Sequence, residues 1–327
     1  MTYLVRASFG SSTRVRDAGP LTGGGYATVW WVLLDDDRRV VLKVFPPAGT
    51  RLLRYERGLC AAEARHFRLV AERVPHVPVP PVLHHGTDPA YGEWLVTGLL
   101  PGRSLADLAV SGAPVDDGPV RYDLGAALAA LHEISGDRFG YEGGRASGAT
   151  WRAAFTAMLD ALLADAADWG VPLPVTPDQL HALVGRHADV LDEVRRPARL
   201  HFDCWDGNVL AAPDAEGQLR LCGLVDGERC LYGDPLLDLV SPLLYRRIED
   251  EPEHPLLRGY RSVAGEPLLL NDSARRRLGL YRLHLYLLMT VEMPSRGMTR
   301  QSHPGRHARL SALLDEEIAV VRSGASA

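Results

Sequence analysis

His201-Phe202-Asp203-Cys204-Trp205-Asp206-Gly207-Asn208, followed further on by Val225-Asp226, is the stretch that decides the fold. Its flanks are apolar. Ala198-Arg199-Leu200 leads in, Val209-Leu210 follows, and residues 219–225 alternate like a strand. The pattern predicts a loop, a short strand, a turn, and a second strand ending in an acid. Such a layout gathers oxygen-bearing side chains in one small volume. Asp203 can accept a proton from a hydroxyl. Asn208 and Asp226 offer hard oxygen ligands, which suit Mg²⁺ better than zinc. A base beside two magnesium ligands is the inventory of phosphoryl transfer.

At 327 residues the chain suits one large domain or two lobes. Its 46% apolar and 24% charged residues are those of an ordinary globular protein. The net charge of −5 lacks the basic excess that phosphate backbones attract, so no nucleic-acid partner is expected. Cys60, Cys204, Cys222 and Cys230 form no Cys-x-x-Cys pair and read as reduced, mostly buried thiols, which fits a cytoplasmic location. No basic region followed by an apolar run opens the chain, and no apolar run reaches membrane-spanning length, so no membrane partner is expected. A monomer or a homodimer fits equally.

Residues 1–19 are polar with little periodicity. Gly23, Gly24 and Gly25 then precede an apolar run from Tyr26 to Leu34. Three glycines permit positive φ and close backbone approach to an anion. A strand follows at once, which argues against a Rossmann or Walker site and for a glycine-rich cover over a nucleotide; a plain hairpin turn explains the loop as well. Thr28 stands where a third glycine would complete Gly-x-Gly-x-x-Gly. Residues 40–45 form a strand with Lys43 among apolar residues, and a buried lysine needs an anionic partner. Residues 52–73 read as a helix ending before Pro75, and 78–83 as an extended apolar strand. Residues 93–102 read as a strand running into a turn. Ser104 caps a helix. Further helices are expected over 122–134, 150–169, 176–195, beyond Asp238, and from the Asn271 cap onward. Residues 248–254 form an acidic loop, either solvated or facing a cationic ligand.

His201-x-Asp203 with Asn208 and Asp226, then Gly233-Asp234-Pro235-Leu236-Leu237-Asp238-Leu239, resembles the catalytic segment of the aminoglycoside phosphotransferase-like (choline kinase-type) small-molecule kinases. These are distant relatives of protein kinases. Asp226-Gly227-Glu228 stands where protein kinases have Asp-Phe-Gly. The resemblance implies an α+β, protein-kinase-like two-lobed fold: a small antiparallel-sheet N-lobe over 1–98 and a mainly helical C-lobe over 99–327. It implies transfer of the γ-phosphoryl of ATP or GTP, with Mg²⁺, to a hydroxyl of a small molecule. Asp203 would be the base and Asn208 and Asp226 the metal ligands. Gly23, Gly24, Gly25 and Thr28 would cover the phosphates. Lys43 would bind them, held by Glu63 with Glu56 as the competing candidate. Gly98 and Leu100 would meet the purine through their backbone. His201 and Asp234 would brace the loop. By resemblance the acceptor is an antibiotic (an aminoglycoside, nucleoside, macrolide or peptide). The alternatives are a sugar, choline or homoserine kinase, or a nucleotide-binding protein without turnover.

Overall fold

The computed structural model describes residues 1–21, 26–110, 116–265 and 268–323. In chain order the first half runs α1 (Thr2–Phe9), β1 (Val15–Pro20), β2 (Thr28–Leu34), β3 (Arg39–Val44), α2 (Leu59–Arg73), β4 (Val82–Asp88), β5 (Gly92–Gly98), β6 (Arg103–Ser104), α3 (Leu105–Val110) and α4 (Gly118–His132). The second half runs β7 (Phe139–Gly140), β8 (Ser147–Gly148), α5 (Trp151–Asp168), α6 (Pro177–Gly185), α7 (Ala188–Leu191), β9 (Ala198–Leu200), β10 (Val209–Pro213), β11 (Leu219–Leu224), β12 (Leu231–Gly233), α8 (Pro255–Val263), α9 (Asp272–Ser295) and α10 (Pro304–Ser323). These elements form two compact units. One takes Met1–Arg51, Gly58–Asp123 and Asp206–Arg229; the other takes Leu52–Arg57, Leu124–Trp205 and Cys230–Ala327.

In the first unit, β1-β2-β3-β5-β4 make an antiparallel sheet. Side chains alternate across it, as a period of two requires. Val32, Leu34, Val40, Leu42, Trp94 and Val96 pack with Leu4 and Val5 of α1 into one core cluster. Lys43 follows Leu42 and so emerges on the opposite face. A second sheet, β11-β10-β6, carries the hairpin that ends at Asp226.

The second unit is mainly helical, with a small sheet β8-β7-β12-β9. Its interior is aromatic: Trp151, Phe155 and Tyr281 meet edge-on or tilted, with ring centroids 5.6–5.9 Å apart. Asn271 caps α9 by accepting from the Ala274 N–H at 2.9 Å.

Several expected boundaries move. Residues 1–19 hold α1 and most of β1. The helix expected from residue 52 begins at Leu59, because Gly58 sits at φ 69° and breaks the helical path. Before it, Glu56 accepts from the Leu53 N–H at 2.8 Å in a single 3₁₀ turn. The prolines of 78–81 lack ladder donors, and β4 starts only at Val82. The 176–195 helix divides into α6 and α7. Beyond Asp238 the chain makes short 3₁₀ turns, and the next α-helix waits until Pro255.

Candidate active site

Lys43 is the single lysine in the chain, against 36 lysines and arginines together. It lies on β3 with its side chain 9% exposed and grips three carboxylates. Its Nζ lies 2.5 Å from Asp226 Oδ1, 2.6 Å from Glu228 Oε2 and 2.9 Å from Glu63 Oε2. A compact ammonium with three rotatable donors can serve three acids at once, which a planar guanidinium cannot match. Burial works against the charge on Lys43, but Asp226, Glu228 and Glu63 outweigh it and hold its pKa well above the ordinary value. Burial also pushes the Glu63 carboxyl up to about 8, against the pull of Lys43 and with Glu228 and Asp226 adding to the rise. Even with the Glu63 carboxyl protonated at neutral pH, Asp226 and Glu228 leave one negative charge beyond the Lys43 ammonium. That excess is what a divalent cation settles, so the donor set fits Mg²⁺.

Glu63 reaches Lys43 from α2, whereas Glu56 is fully buried against Arg296 in the second unit at 2.8 Å. Glu228 was not singled out from sequence. It lies two residues beyond Asp226, and the acid-Gly-acid run was its signal. Gly227 between them has a steric reason: a Cβ there would come within 2.5 Å of the His66 ring on α2. Asp226 holds φ at 59°, unusual outside glycine. Asn208 is buried, and its backbone carbonyl accepts from the Val225 N–H at 3.1 Å, which ties it to the residue before Asp226. Asp206 is taken by Arg121 at 2.6 Å. Thr28 opens β2 opposite Val44. Gly23, Gly24 and Gly25 lie outside the described residues. The Gly98 N–H donates to the Pro81 carbonyl at 2.9 Å, and Leu99 donates to Arg39 at 3.2 Å, so the sheet's bonds run out just before Leu100.

Asp203 belongs to the second unit. The chain passes from that unit to the first between Trp205 and Asp206, so Asp203 and Asn208 flank the crossing. The loop leaves β9, which is wholly buried and paired to β12. Asp238 holds it. Its carboxylate accepts from the His201 N–H at 2.9 Å, from the Phe202 N–H at 2.5 Å, and meets His132 Nε2 at 3.0 Å. The Cys204 N–H donates to Ser241 Oγ at 3.0 Å, and the Asp203 N–H reaches His201 Nδ1 at 3.3 Å. Phe202 sits at φ 65°. His132 is thus a partnered packing residue between Asp238 and the Tyr260 hydroxyl. Asp234 accepts from the Tyr281 hydroxyl at 2.6 Å and lies 3.0 Å from Arg277 Nε, bracing α9 more than the loop. Asp203 itself is half-buried.

A cavity of about 350 Å³ lies within the second unit. Tyr55, Tyr141, Met158, Leu162 and Leu288 line it with Arg54, Arg57, Arg145, Asp165 and His284. His284 is buried between Phe155 and Phe202, at 5.4 and 6.0 Å between ring centroids. Neither ring nitrogen has a hydrogen-bond partner among the described residues. Burial lowers its pKa to about 4. The 248–254 loop is not an open acidic patch. Glu249 is buried against Arg282 at 2.6 Å, Asp250 pairs with Arg275 at 3.3 Å and Glu251 with Arg246 at 2.5 Å.

An antiparallel sheet bearing a carboxylate-bound lysine, with a His-x-Asp loop leading into a metal-type Asn and Asp, defines a protein-kinase-like α+β fold. A family model described as "Phosphotransferase enzyme family" matches residues 17–277, so the chain belongs to that family and is a small-molecule phosphotransferase by membership. A putative fructosamine-3-kinase from Thermobifida fusca shares 20% identity and superposes with a TM-score of 0.69, covering 99% of this chain and 98% of that one. A thermostable mutant of the aminoglycoside phosphotransferase APH(4)-Ia, solved with AMP-PNP and hygromycin B, shares 19% identity at a TM-score of 0.65, covering 100% and 99%. The macrolide 2'-phosphotransferase MphH from Brachybacterium faecium shares 17% at 0.58, covering 96% and 98%. At these identities the likeness is one of fold. No curated protein matches. Among the described residues, no helix is long and apolar enough to cross a membrane.

Proposed function

We propose that this chain moves the γ-phosphoryl of ATP or GTP to a hydroxyl of a small molecule, with an antibiotic as the leading acceptor class. The observation that carries the proposal is the buried Lys43 cluster, in a chain whose every other basic side chain apart from histidine is arginine. Lys43 binds the α- and β-phosphates, and Glu63 keeps it in place. Asn208 and Asp226 hold Mg²⁺, which supplies neutralisation of phosphate charge when bound. Glu228 shares the ammonium with Asp226 and sets how tightly that acid is held. Gly23 to Thr28 cover the phosphates, and the backbone of Gly98 and Leu100 meets the purine. In functional terms residues 1–98 serve the nucleotide, and 99–327 carry the catalytic loop, the metal ligands and the acceptor site. Asp203 orients the acceptor hydroxyl and takes its proton; the rate comes from positioning and electrostatics.

For the acceptor, two features favour a hydroxylated antibiotic poor in amines, such as a nucleoside, macrolide or peptide, over a polycationic aminoglycoside. The acids of 249–251 are consumed by arginines of the same unit. The cavity lined by His284 has apolar and tyrosine walls, and of its three arginines Arg54 is paired with Asp165 and Asp168, leaving Arg57 and Arg145 against no lining carboxylate. One sign of charge in a concave site repels ligands of that sign. A sugar-type metabolite kinase is the alternative. ADP release measured across a panel of nucleoside, macrolide, peptide and aminoglycoside antibiotics, fructosamines, choline and homoserine decides it. Turnover with one uncharged antibiotic supports the proposal. Turnover confined to metabolites overturns the antibiotic assignment, and none with any acceptor at saturating Mg²⁺–ATP and Mg²⁺–GTP overturns the enzyme.

A further inference from the structure

On the same side of the sheet as Lys43 but with other residues, Cys60, His85 and Glu93 each bring a ligand atom within 4.8 Å of the others. They come from three elements of the first unit: Cys60 from the first turn of α2, His85 from β4, and Glu93 from β5. β4 and β5 pair His85 with Leu95 and Thr87 with Glu93. His85 and Glu93 are therefore diagonal neighbours on one face of the sheet, within reach of each other's long side chains. Cys60 is a free thiol, 1% exposed. The Nε2 of His85 is shielded from solvent and has no hydrogen-bond partner among the described residues. A buried ring nitrogen left unpaired costs free energy and calls for an explanation such as a ligand.

We infer that Cys60, His85 and Glu93 form a binding site for a thiophilic divalent cation, Zn²⁺, which fastens α2 to β4 and β5. The donor set decides the metal. A sulfur, an imidazole nitrogen and a carboxylate oxygen suit tetrahedral zinc, with water completing the fourth position, whereas Mg²⁺ and Ca²⁺ want oxygens alone. The charges also match: one thiolate and one carboxylate balance a dication. Burial, with Glu93 and Glu63 adding, pushes the Cys60 thiol far above its ordinary range, so the thiol is protonated until a metal is bound. Burial lowers the His85 pKa, which keeps the imidazole neutral and ready to ligate. On binding, the S–H bond gives way to a metal–sulfur bond and the proton leaves to solvent. Cys60 stands three residues before Glu63, one turn away on α2. Metal binding thus steadies the helix that presents Glu63 to Lys43. That consequence rests on the proposed nucleotide role of Lys43; the metal site does not.

The test uses the full chain, stripped of metal under reducing conditions and titrated with Co²⁺ as the probe. One equivalent is expected to bind with an intense thiolate-to-cobalt absorption, to be displaced by Zn²⁺, and to raise the melting temperature. Cys60→Ser removes the absorption while Cys222→Ser, at the half-exposed cysteine, retains it. His85→Gln and Glu93→Gln, which keep the thiol, weaken binding by at least about tenfold each. They carry the test if Cys60→Ser fails to fold. No thiolate absorption in the intact chain, its survival in Cys60→Ser, or unchanged affinity in both other variants would overturn the site. None of these readouts depends on turnover, so a failed activity panel leaves them intact.

Discussion

Two carboxylate clusters organise this molecule, and they are built on opposite plans. Around Lys43, three acids share one ammonium, and negative charge is left over. Around Asp238, one carboxylate collects two backbone N–H groups and His132, so both of its oxygens are engaged. The first is unbalanced and responsive to a cation or an anionic ligand's counter-ion. The second is satisfied and serves to hold the His201–Cys204 backbone in a shape that includes φ 65° at Phe202. Excess charge marks a place that binds; saturated hydrogen bonding mark a place that positions.

Substitution separates the two plans most sharply at the residue the saturated cluster positions. Asp203→Asn is expected to lower kcat by about 10²–10⁴-fold, the usual worth of a placed proton acceptor, while nucleotide affinity stays near wild type. Asp226→Ala is expected to lose metal-dependent nucleotide binding as well as turnover. If both variants lose nucleotide binding alike, the division of labour is wrong.

The next effect is on stability. Asp238→Ala strands the buried N–H groups of His201 and Phe202. At about 1–3 kcal/mol for each unsatisfied buried group, the loss is on the order of 2–6 kcal/mol. Urea denaturation measures it. Because this cluster is saturated, Asp238→Asn recovers only part, since an amide keeps one acceptor oxygen. A loss below about 1 kcal/mol for the alanine variant would show that the loop holds itself.

How far the sequence reveals these clusters depends on chain distance. Asn208 and Asp226 flank one β10–β11 hairpin, which the apolar alternation of 209–225 makes legible. Lys43 is legible because a charge inside an apolar strand is expensive, and still more so because the chain uses lysine nowhere else. Glu228 carries a local signal in the acid-Gly-acid run, but its partner is an ammonium 185 positions away, which spacing does not show. Asp238 could be quoted as part of a motif, but its two backbone donors appear only once β9 and the turn after Asp234 are folded together. The same limit hides Glu56–Arg296, which accounts for an acid that spacing left in competition with Glu63. Boundaries failed where one residue overrides a pattern, as Gly58 does at the start of α2.

A pH series sharpens the contrast between buried groups. His284 has a folded pKa of about 4 against 6.5 unfolded, so the native state prefers the neutral ring. Its contribution is fully present above pH 6.5 and is lost as pH falls through 4. The span of about 2.5 units corresponds to about 3 kcal/mol at most. His284→Phe is expected to flatten that part of the acid limb. Glu63 behaves oppositely. Its folded pKa of about 8 lies above 4.5, so its contribution is present below pH 4.5 and is lost as pH rises through 8. Relative to wild type, Glu63→Gln gains stability over that window while losing activity. Parallel pH profiles for wild type and both variants would count against the burial assigned to these groups.

The smallest effect is expected where acids are abundant and either paired at the surface or exposed. Asp250→Asn, Glu251→Gln and Glu253→Gln together leave Glu249 and its buried partner Arg282 in place. Asp250 and Glu251 pair with Arg275 and Arg246 at the surface, with side-chain exposures of 48% and 33%. Exposed pairs of this kind are worth about 0–1 kcal/mol each, so stability should shift by no more than that scale. If these acids do not face the acceptor, KM for the best acceptor should stay within about twofold of wild type, at both low and high salt, because no attraction is there to be screened. A KM that rises in the triple variant at low salt, and converges with wild type at high salt, would mean the run does draw in a cationic acceptor. The amine-poor assignment would then fall, while the Lys43 and Asp238 clusters, lying elsewhere in the chain, would keep their roles.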